Sequence, residues 1–579
     1  MNIHSDSIHT RRAFLRLAGI TLGAPLLPRF LPSAFAAAAL PDFKSLTLEQ
    51  QMGQMVIARQ QNWPLMEQYA KQGLISGITP SLTKLSPAEV AEFTNKFQKL
   101  SPIPLLFGWG GISYRGGTEV RLGQTMRLGA ARNAELSREA GRIEAVEARA
   151  LGFQLAGAPV LDVNLNPDNT IINLRSISDD ADLVTTLGAA LAQGTIDGGA
   201  APIFMHFPGH GATRGDSHIE MPEVERSLAE LEAVELKPFA ELIRRGLGRV
   251  ICTNHCHYPA LESEKMPATL SLKIVTGLLR EKLGYEGVIM SDSLTMKPIK
   301  DNYGIEEAAI RTVTAGHDLI LQDYNSDPVI TIDALARAVR HGRIPLSQIK
   351  RSVQRVWKLK QELGLFEQRL VDPAKIPEVF ATKASAAVAR RIARESVTLL
   401  ENNRGTLRAE EKRRILVISN GSAATIDEDN AVQHSPMNHH LNEQLRQRVP
   451  AAQALILSTA MKPDEIERAI AAVQNSDVVV FGLFTRVRAY VEDAIRVAKP
   501  YRELIERTAT AGRSIALLNF GNPYVMADLP KPAFSLCTFS DATDSITAAV
   551  EVLFGELKPQ GQLPVRISER YPFGHGLAA

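Results

Sequence analysis

At 579 residues the chain is too long for one compact core, so two domains and a processed end are the natural expectation. Its 45% hydrophobic and 22% charged residues are ordinary for a soluble globular protein. The formal net charge is +2, but Arg11, Arg12, Arg16 and Arg29 against Asp6 put +3 on the first 36 residues and leave −1 on the rest, which argues against nucleic acid as a partner.

In chain order, Thr10-Arg11-Arg12-Ala13-Phe14-Leu15-Arg16 precedes an apolar run over 17–27, and Ala34-Phe35-Ala36 offers the small residues at which a signal peptidase cuts. Residues 1–36 are therefore expected to be a twin-arginine export signal, with the mature protein periplasmic or secreted. Gly19, Gly23, Pro25 and Pro28 break the apolar run, so no stable membrane anchor is expected after cleavage. Three cysteines, Cys252, Cys256 and Cys537, are an odd number and make no disulfide framework.

Apolar residues at helical spacing cover 46–58. Short apolar runs at 74–78, 104–107, 158–163, 201–207, 250–253, 288–290 and 318–321 then read as strands, with helical patterns over 87–99, 134–151, 224–246, 273–283 and 305–315 between them. This alternation over 42–365 predicts an α/β domain built as a (β/α)8 TIM-like barrel, whose strand C-termini carry the site. A doubly wound open sheet is the alternative, without a Gly-rich phosphate loop to support it. Periodicity weakens over 366–390, a charged, Pro-containing stretch that reads as a linker. Over 391–579 the runs at 415–418, 454–457, 478–481 and 515–518, with helical patterns at 463–474 and 490–511, predict a second α/β domain, a sandwich.

The densest chemistry lies at 205–218, where a buried strand ends in Met205-His206-Phe207-Pro208-Gly209-His210-Gly211 and a loop follows with Asp216-Ser217-His218. An Asp two residues before a His can hold one imidazole nitrogen while the other faces substrate, so that the ring gives and takes a proton near neutral pH. On spacing alone a surface loop with incidental histidines is the competing reading. Three histidines and an Asp match no zinc spacing and no Cys or Glu joins them, so neither metal nor cofactor is expected.

Taken together, His206-Phe207-Pro208-Gly209-His210-Gly211 and Asp216-Ser217-His218 resemble the signature of bacterial β-N-acetylglucosaminidases of glycoside hydrolase family 3. The resemblance extends to 285–296, where Ser291-Asp292-Ser293 looks like the family's nucleophile strand, to Thr253-Asn254-His255 on the strand before it, and to the tail at 555–565 and 571–576. It implies that Asp292 is the nucleophile and His218 the general acid/base, oriented by Asp216. It also implies a carbohydrate substrate in a site lined by His206, Arg175, Met205 and Asp162. The implied activity is a retaining β-N-acetylhexosaminidase-like hydrolysis of amino-sugar or cell-wall glycans. A family 3 β-glycosidase of other sugar specificity, or a weakly active glycan-binding homologue, are the alternatives.

Three departures stand against that pattern. Met205 occupies the place of the family's sugar-binding Lys, Leu174 that of an Asp before the Arg175-Ser176 pair, and the segment 107–117 lacks the family's Asp-x-Glu-Gly-Gly motif. Each lost bond to a charged group is worth about 1.5–3 kcal/mol. Trp109 and Tyr114 are candidates for a stacking platform in place of those contacts, or for core packing.

Overall fold

The computed structural model describes residues 43–578 apart from 60–61, 83–84, 109–123, 157–158, 323–324, 404–406, 408–412, 421–435, 459–460, 486–490 and 492–494. The export signal with its arginines and Ala36, and Trp109 and Tyr114, lie outside the described residues.

Eight short strands build the first domain: β1 (Val56–Ala58), β2 (Gly77–Ile78), β3 (Leu106–Phe107), β4 (Leu155–Ala156), β5 (Ala201–Phe207), β6 (Val250–Thr253), β7 (Val288–Met290) and β8 (Ile320–Leu321). They form two parallel sheets, β3-β2-β1-β8 and β4-β5-β6-β7. Parallel bridges Gly108↔Leu155 and Met290↔Leu319 join the sheets at both edges, so the eight strands close into a (β/α)8 barrel. Its interior is apolar: Ile57, Leu106, Leu155, Ala201, Ile203, Val250, Cys252, Val288, Met290 and Leu319 form one buried cluster. Burial on both faces is what a barrel strand demands, which is why β6 and β7 carry no polar alternation. Helices such as Pro87–Leu100, Ala134–Ala150 and Ala181–Asp197 surround the strands, their starts fixed by Ser86, Asn133 and Asp180 accepting the N–H three residues on.

Several elements differ from expectation. The helical pattern over 46–58 holds only the helix Leu48–Gly53 before the chain extends into β1, because Val56, Ile57 and Ala58 are wanted inside the barrel. The strand expected at 158–163 is β4 followed by a single bridge, Val160↔Met205; Pro159 lacks the amide hydrogen that a ladder needs. The helix expected over 224–246 is two, Leu228–Ala233 and Leu236–Arg244, broken at Val234. The helix expected from 305 starts at Lys297 and kinks at Gly304, whose φ of 68° leaves the helical region.

The stretch expected as a linker holds a helix, Lys383–Ser396, whose Ala389 and Ile392 pack on Leu128, Leu136 and Ile143 of the barrel domain. It leads into β9 (Thr398–Asn402) and a six-stranded sheet with β10 (Ile415–Asn420), β11 (Gln453–Leu457), β12 (Val478–Leu483), β13 (Ser514–Asn519) and β14 (Phe534–Cys537). The order is β11-β10-β12-β13-β14-β9, all parallel except β9 against β14. Alternate residues face opposite layers. Leu416, Ile418, Val479, Phe481 and Leu517 pack with helix Lys499–Thr510, and Val417, Val480, Ala516 and Leu518 with helices Pro436–Arg448 and Thr543–Leu553. This is an α/β sandwich. Among the described residues no helix is long and apolar enough to cross a membrane.

Candidate active site

Strand β5 ends at Phe207 with cis peptides at Met205-His206 and Phe207-Pro208, and the loop follows at the barrel's C-terminal rim. The loop is held from beneath by Asp162. One carboxylate oxygen lies 2.7 Å from His206 Nδ1, both oxygens accept the His206 N–H at 3.1–3.2 Å, and Oδ1 accepts the His210 N–H at 2.6 Å. Asp162 is 0% exposed. Burial pushes its carboxyl up, but the His206 ring and the His210 N–H pull it further down, so it sits below its ordinary value. The expected sugar contact at Asp162 is thus a loop anchor, because a side chain with no exposed surface cannot reach a ligand.

His206 links Asp162 to Arg175. With Nδ1 turned to Asp162, its Nε2 lies 3.3 Å from Arg175 Nη2, and that guanidinium also lies 3.9 Å from Met205 Sδ. Burial lowers the Arg175 pKa, opposed by Asp162, Asp292 and Asp216 nearby. Met205 is half-buried against Val160, Ile171 and Ile172, an apolar neighbour beside Arg175. Leu174 has a different environment from the one its position suggested. It is 2% exposed and belongs to an apolar cluster with Met126 and Ala130 of the barrel domain and Tyr524 and Leu563 of the second, so it seals the domain junction and faces no sugar.

The Asp216-x-His218 pair closes on itself. Asp216 Oδ1 accepts from His218 Nδ1 at 2.7 Å and from the His218 N–H at 2.8 Å, which fixes the ring with Nε2 as its outward nitrogen. Asp216 is buried while a quarter of the His218 side chain is exposed. The Lys297 N–H donates to the His218 carbonyl at 3.3 Å, tying the loop to the segment that follows β7.

Asp292 follows β7, its Oδ1 accepting the Ser293 N–H at 2.7 Å. Burial pushes the carboxyl up, but His255, His206 and His218 outweigh it and hold Asp292 below the usual carboxylate range, ionised at neutral pH. His255 fixes the next peptide: Nε2 donates to the Ser293 carbonyl at 2.9 Å, and Nδ1 lies 3.0 Å from Thr269 Oγ1. Cys256 beside it is fully buried, and all three cysteines are free. Among the described residues no group of three or more His, Cys, Asp or Glu side chains is arranged to hold a metal ion.

The structure therefore brings Asp292, His218, Asp216, His206 and Arg175 to one rim, with Met205 beside them and Asp162 beneath. Sequence reasoning passed over the amides that hold the loop. Asn254 Nδ2 donates to the His206 carbonyl at 2.9 Å, Asn169 Nδ2 to the His210 carbonyl at 2.9 Å, and Asn166 Nδ2 to the Thr213 carbonyl at 3.1 Å. Three asparagines in the run Asn164-Leu165-Asn166-Pro167-Asp168-Asn169 were the available signal, since short amides favour such loop bonds.

A closed parallel barrel with an Asp–His pair and an ionised carboxylate at its strand ends, joined to an α/β sandwich, defines a two-domain barrel protein of the glycoside-hydrolase kind. The chain belongs to glycosyl hydrolase family 3: the family's N-terminal domain matches residues 47–359 and its C-terminal domain residues 397–574. A solved family 3 β-N-acetylglucosaminidase from Paenibacillus sp. str. FPU-7 superposes with a TM-score of 0.80 at 32% identity, covering 90% of this chain and 99% of that one. The chain is also similar to β-hexosaminidase A of Pseudoalteromonas piscicida, 36% identical over 38% of this chain and 39% of that protein. With β-hexosaminidase LpqI of Mycobacterium bovis it shares 35% identity over 45% of this chain and 65% of that protein. The chain thus spans from about two fifths to just under two thirds of these two relatives' length.

Proposed function

We propose that the protein is a retaining β-N-acetylhexosaminidase-like glycoside hydrolase acting on amino-sugar or cell-wall glycans. The observation that carries this reading is the approach of the Asp216–His218 pair to ionised Asp292 at one barrel rim. In the first step an Asp292 oxygen bonds to the anomeric carbon, the bond from that carbon to the aglycone oxygen breaks, and the proton on His218 Nε2 goes to the departing oxygen. In the second, a water oxygen attacks the same carbon, His218 takes the water's proton, and Asp292 leaves as a carboxylate. Asp216 keeps the Nδ1 hydrogen in place and balances the imidazolium. Arg175 and His206 supply hydrogen bonds to sugar hydroxyls. The names of the relatives support the N-acetylhexosamine assignment.

A second reading, hydrolysis of a β-glycoside with another terminal sugar, is favoured by Met205, whose thioether offers no hydrogen-bond donor beside Arg175. A panel of aryl β-glycosides on the purified mature protein separates the two. The N-acetyl-β-glucosaminide is expected to be turned over and, if Met205 leaves a hydroxyl unpaired, to be improved by Met205→Lys. Preference for a sugar without the acetamido group would select the second reading, and turnover of none would reject both. The Arg11-Arg12 pair supports export to the periplasm or beyond, where cell-wall glycan is found. Replacing both arginines with Lys should strand the precursor in the cytoplasm, and unchanged export would remove this part of the proposal.

A further inference from the structure

The segment 163–175 lies between the loop that carries His218 and the second domain, and it bonds to both. On its inner side, the Asn166 N–H donates to the Gly211 carbonyl at 3.1 Å, Asn166 Nδ2 to the Thr213 carbonyl, and Asn169 Nδ2 to the His210 carbonyl and to Thr213 Oγ1. The packing is close enough that a side chain at Gly211 would sit 1.8 Å from the Val163 carbonyl oxygen. From Thr213 the link runs on: His210 Nδ1 lies 2.8 Å from Thr213 Oγ1, and His210 Nε2 lies 2.8 Å from the hydroxyl of Ser217, the residue between Asp216 and His218.

On its outer side the same segment is held by the second domain. Asn164 Nδ2 donates to the Tyr524 hydroxyl at 2.7 Å, a buried contact between residues 360 apart in sequence. Asp168 pairs with Arg496 at 3.2 Å on the surface, and Leu174, next to Arg175, is sunk in the junction cluster with Tyr524. Tyr524 follows β13 in a short helical turn, Pro523–Ala527, started by the Asn522 side chain accepting the Tyr524 N–H at 3.1 Å. Nothing in this arrangement serves catalysis directly, because Tyr524 is 8% exposed and its hydroxyl faces Asn164.

We infer that the second domain sets the position of the acid/base, with Tyr524 and Arg496 as positioning residues that act on His218 through the asparagine segment. This rests on the role proposed for His218. The consequence is selective. A displaced general acid slows departure of a poor leaving group, which needs its proton, and spares an activated phenol, which does not. A general loss of folding would lower both alike.

The test compares kcat/KM for a methylumbelliferyl-type good leaving group and an alkyl leaving group in wild type, Tyr524→Phe and the surface variant Arg496→Glu. Tyr524→Phe is expected to lower the alkyl substrate by about 10-fold, with the activated substrate unchanged, and to have no further effect in a His218→Ala background. Arg496→Glu should move the ratio in the same direction by about 2- to 3-fold, and adding Asp168→Arg should restore it. Hydrogen exchange of the 209–218 segment gives a readout independent of activity, and should quicken in Tyr524→Phe. An equal fall on both substrates, or an unchanged ratio with unchanged exchange, would overturn the inference. If wild type hydrolyses no glycoside, the proposed activity fails by itself, and exchange at 209–218 alone decides whether Tyr524 positions the loop.

Discussion

Around the ends of β5 and β6 the buried side chains are His206, His210, His255 and, beneath them, Asp162, each tied by named hydrogen bonds, whereas in the middle of β10, β12 and β13 they are Ile418, Val480, Phe481 and Leu517, tied by packing alone. Both regions exclude water. The difference lies in what exclusion costs. An apolar strand gains by leaving water, about 25 cal/mol per Å² buried, while a buried charge or imidazole is tolerable only if every partner stays in place. The rim should therefore respond sharply to the loss of one partner and to pH, and the sheet to neither.

The largest effect separates the two regions by function. Asp292→Ala should abolish turnover of every substrate, whereas His218→Ala should lose about 10²–10⁴-fold in kcat/KM on poor leaving groups and keep much of its kcat/KM on activated ones, for which the later attack of water becomes the slow step. Steady-state kinetics on matched substrates check this, and near wild-type activity of Asp292→Ala would hand the nucleophile's role to another carboxylate.

Next comes Asp162→Ala, which strips the acceptor from the His206 ring, the His206 N–H and the His210 N–H at once. A loss of about 3 kcal/mol or more is expected by denaturant unfolding, since three buried donors lose their acceptor at about 1–3 kcal/mol each. A loss below about 1 kcal/mol would mean that the loop finds other acceptors.

Acid should find the same region. Burial is the leading cause that pulls His210 down to about 4 and His317, whose Nε2 lies 2.9 Å from Thr253 Oγ1 of β6, down to about 3. The unfolded chain binds these protons near pH 6.5, the folded chain only below 4, so stability is complete above about pH 6.5 and is lost as pH falls toward 4, by about 3 kcal/mol per histidine. Melting temperature followed from pH 7.5 to 4.5 should fall, and His317→Gln should flatten the slope. The smallest effect belongs to the sheet: Ile418→Val should cost about 0.5–1.5 kcal/mol, with no dependence on pH over the same range.

The same contrast decided what could be read from the sequence. β10, β12 and β13 are six-residue elements whose central runs Ile415-Leu416-Val417-Ile418, Val478-Val479-Val480-Phe481 and Ile515-Ala516-Leu517-Leu518 announce buried strands. β4 is two residues long, β1 three, and no periodicity exists in so short a piece, so one was displaced and the other was hidden inside a helical pattern. β9 and β14 were missed because polar residues, Thr398 and Ser535, interrupt their apolar runs. At the site, the grouping of His206, Asp216, His218 and Asp292 was legible because few residue types can hold or move a proton near neutral pH. Leu174 was legible only as a missing polar contact, because its partners Tyr524 and Leu563 lie more than 300 positions away, and Asn164, Asn166 and Asn169 went unread because a loop amide looks the same whether or not it holds such a loop.

The central claim is that Asp292 bonds to the sugar while His218 handles the proton, and one experiment isolates it. His218→Ala mixed with a dinitrophenyl N-acetyl-β-glucosaminide should release one equivalent of phenol in a burst and then stall, because departure needs no acid but the water that frees the enzyme needs a base. Mass spectrometry of the denatured, digested protein should then find one N-acetylhexosamine on the peptide that carries Asp292. A sugar on a different carboxylate, or steady turnover with no adduct at all, would contradict the account.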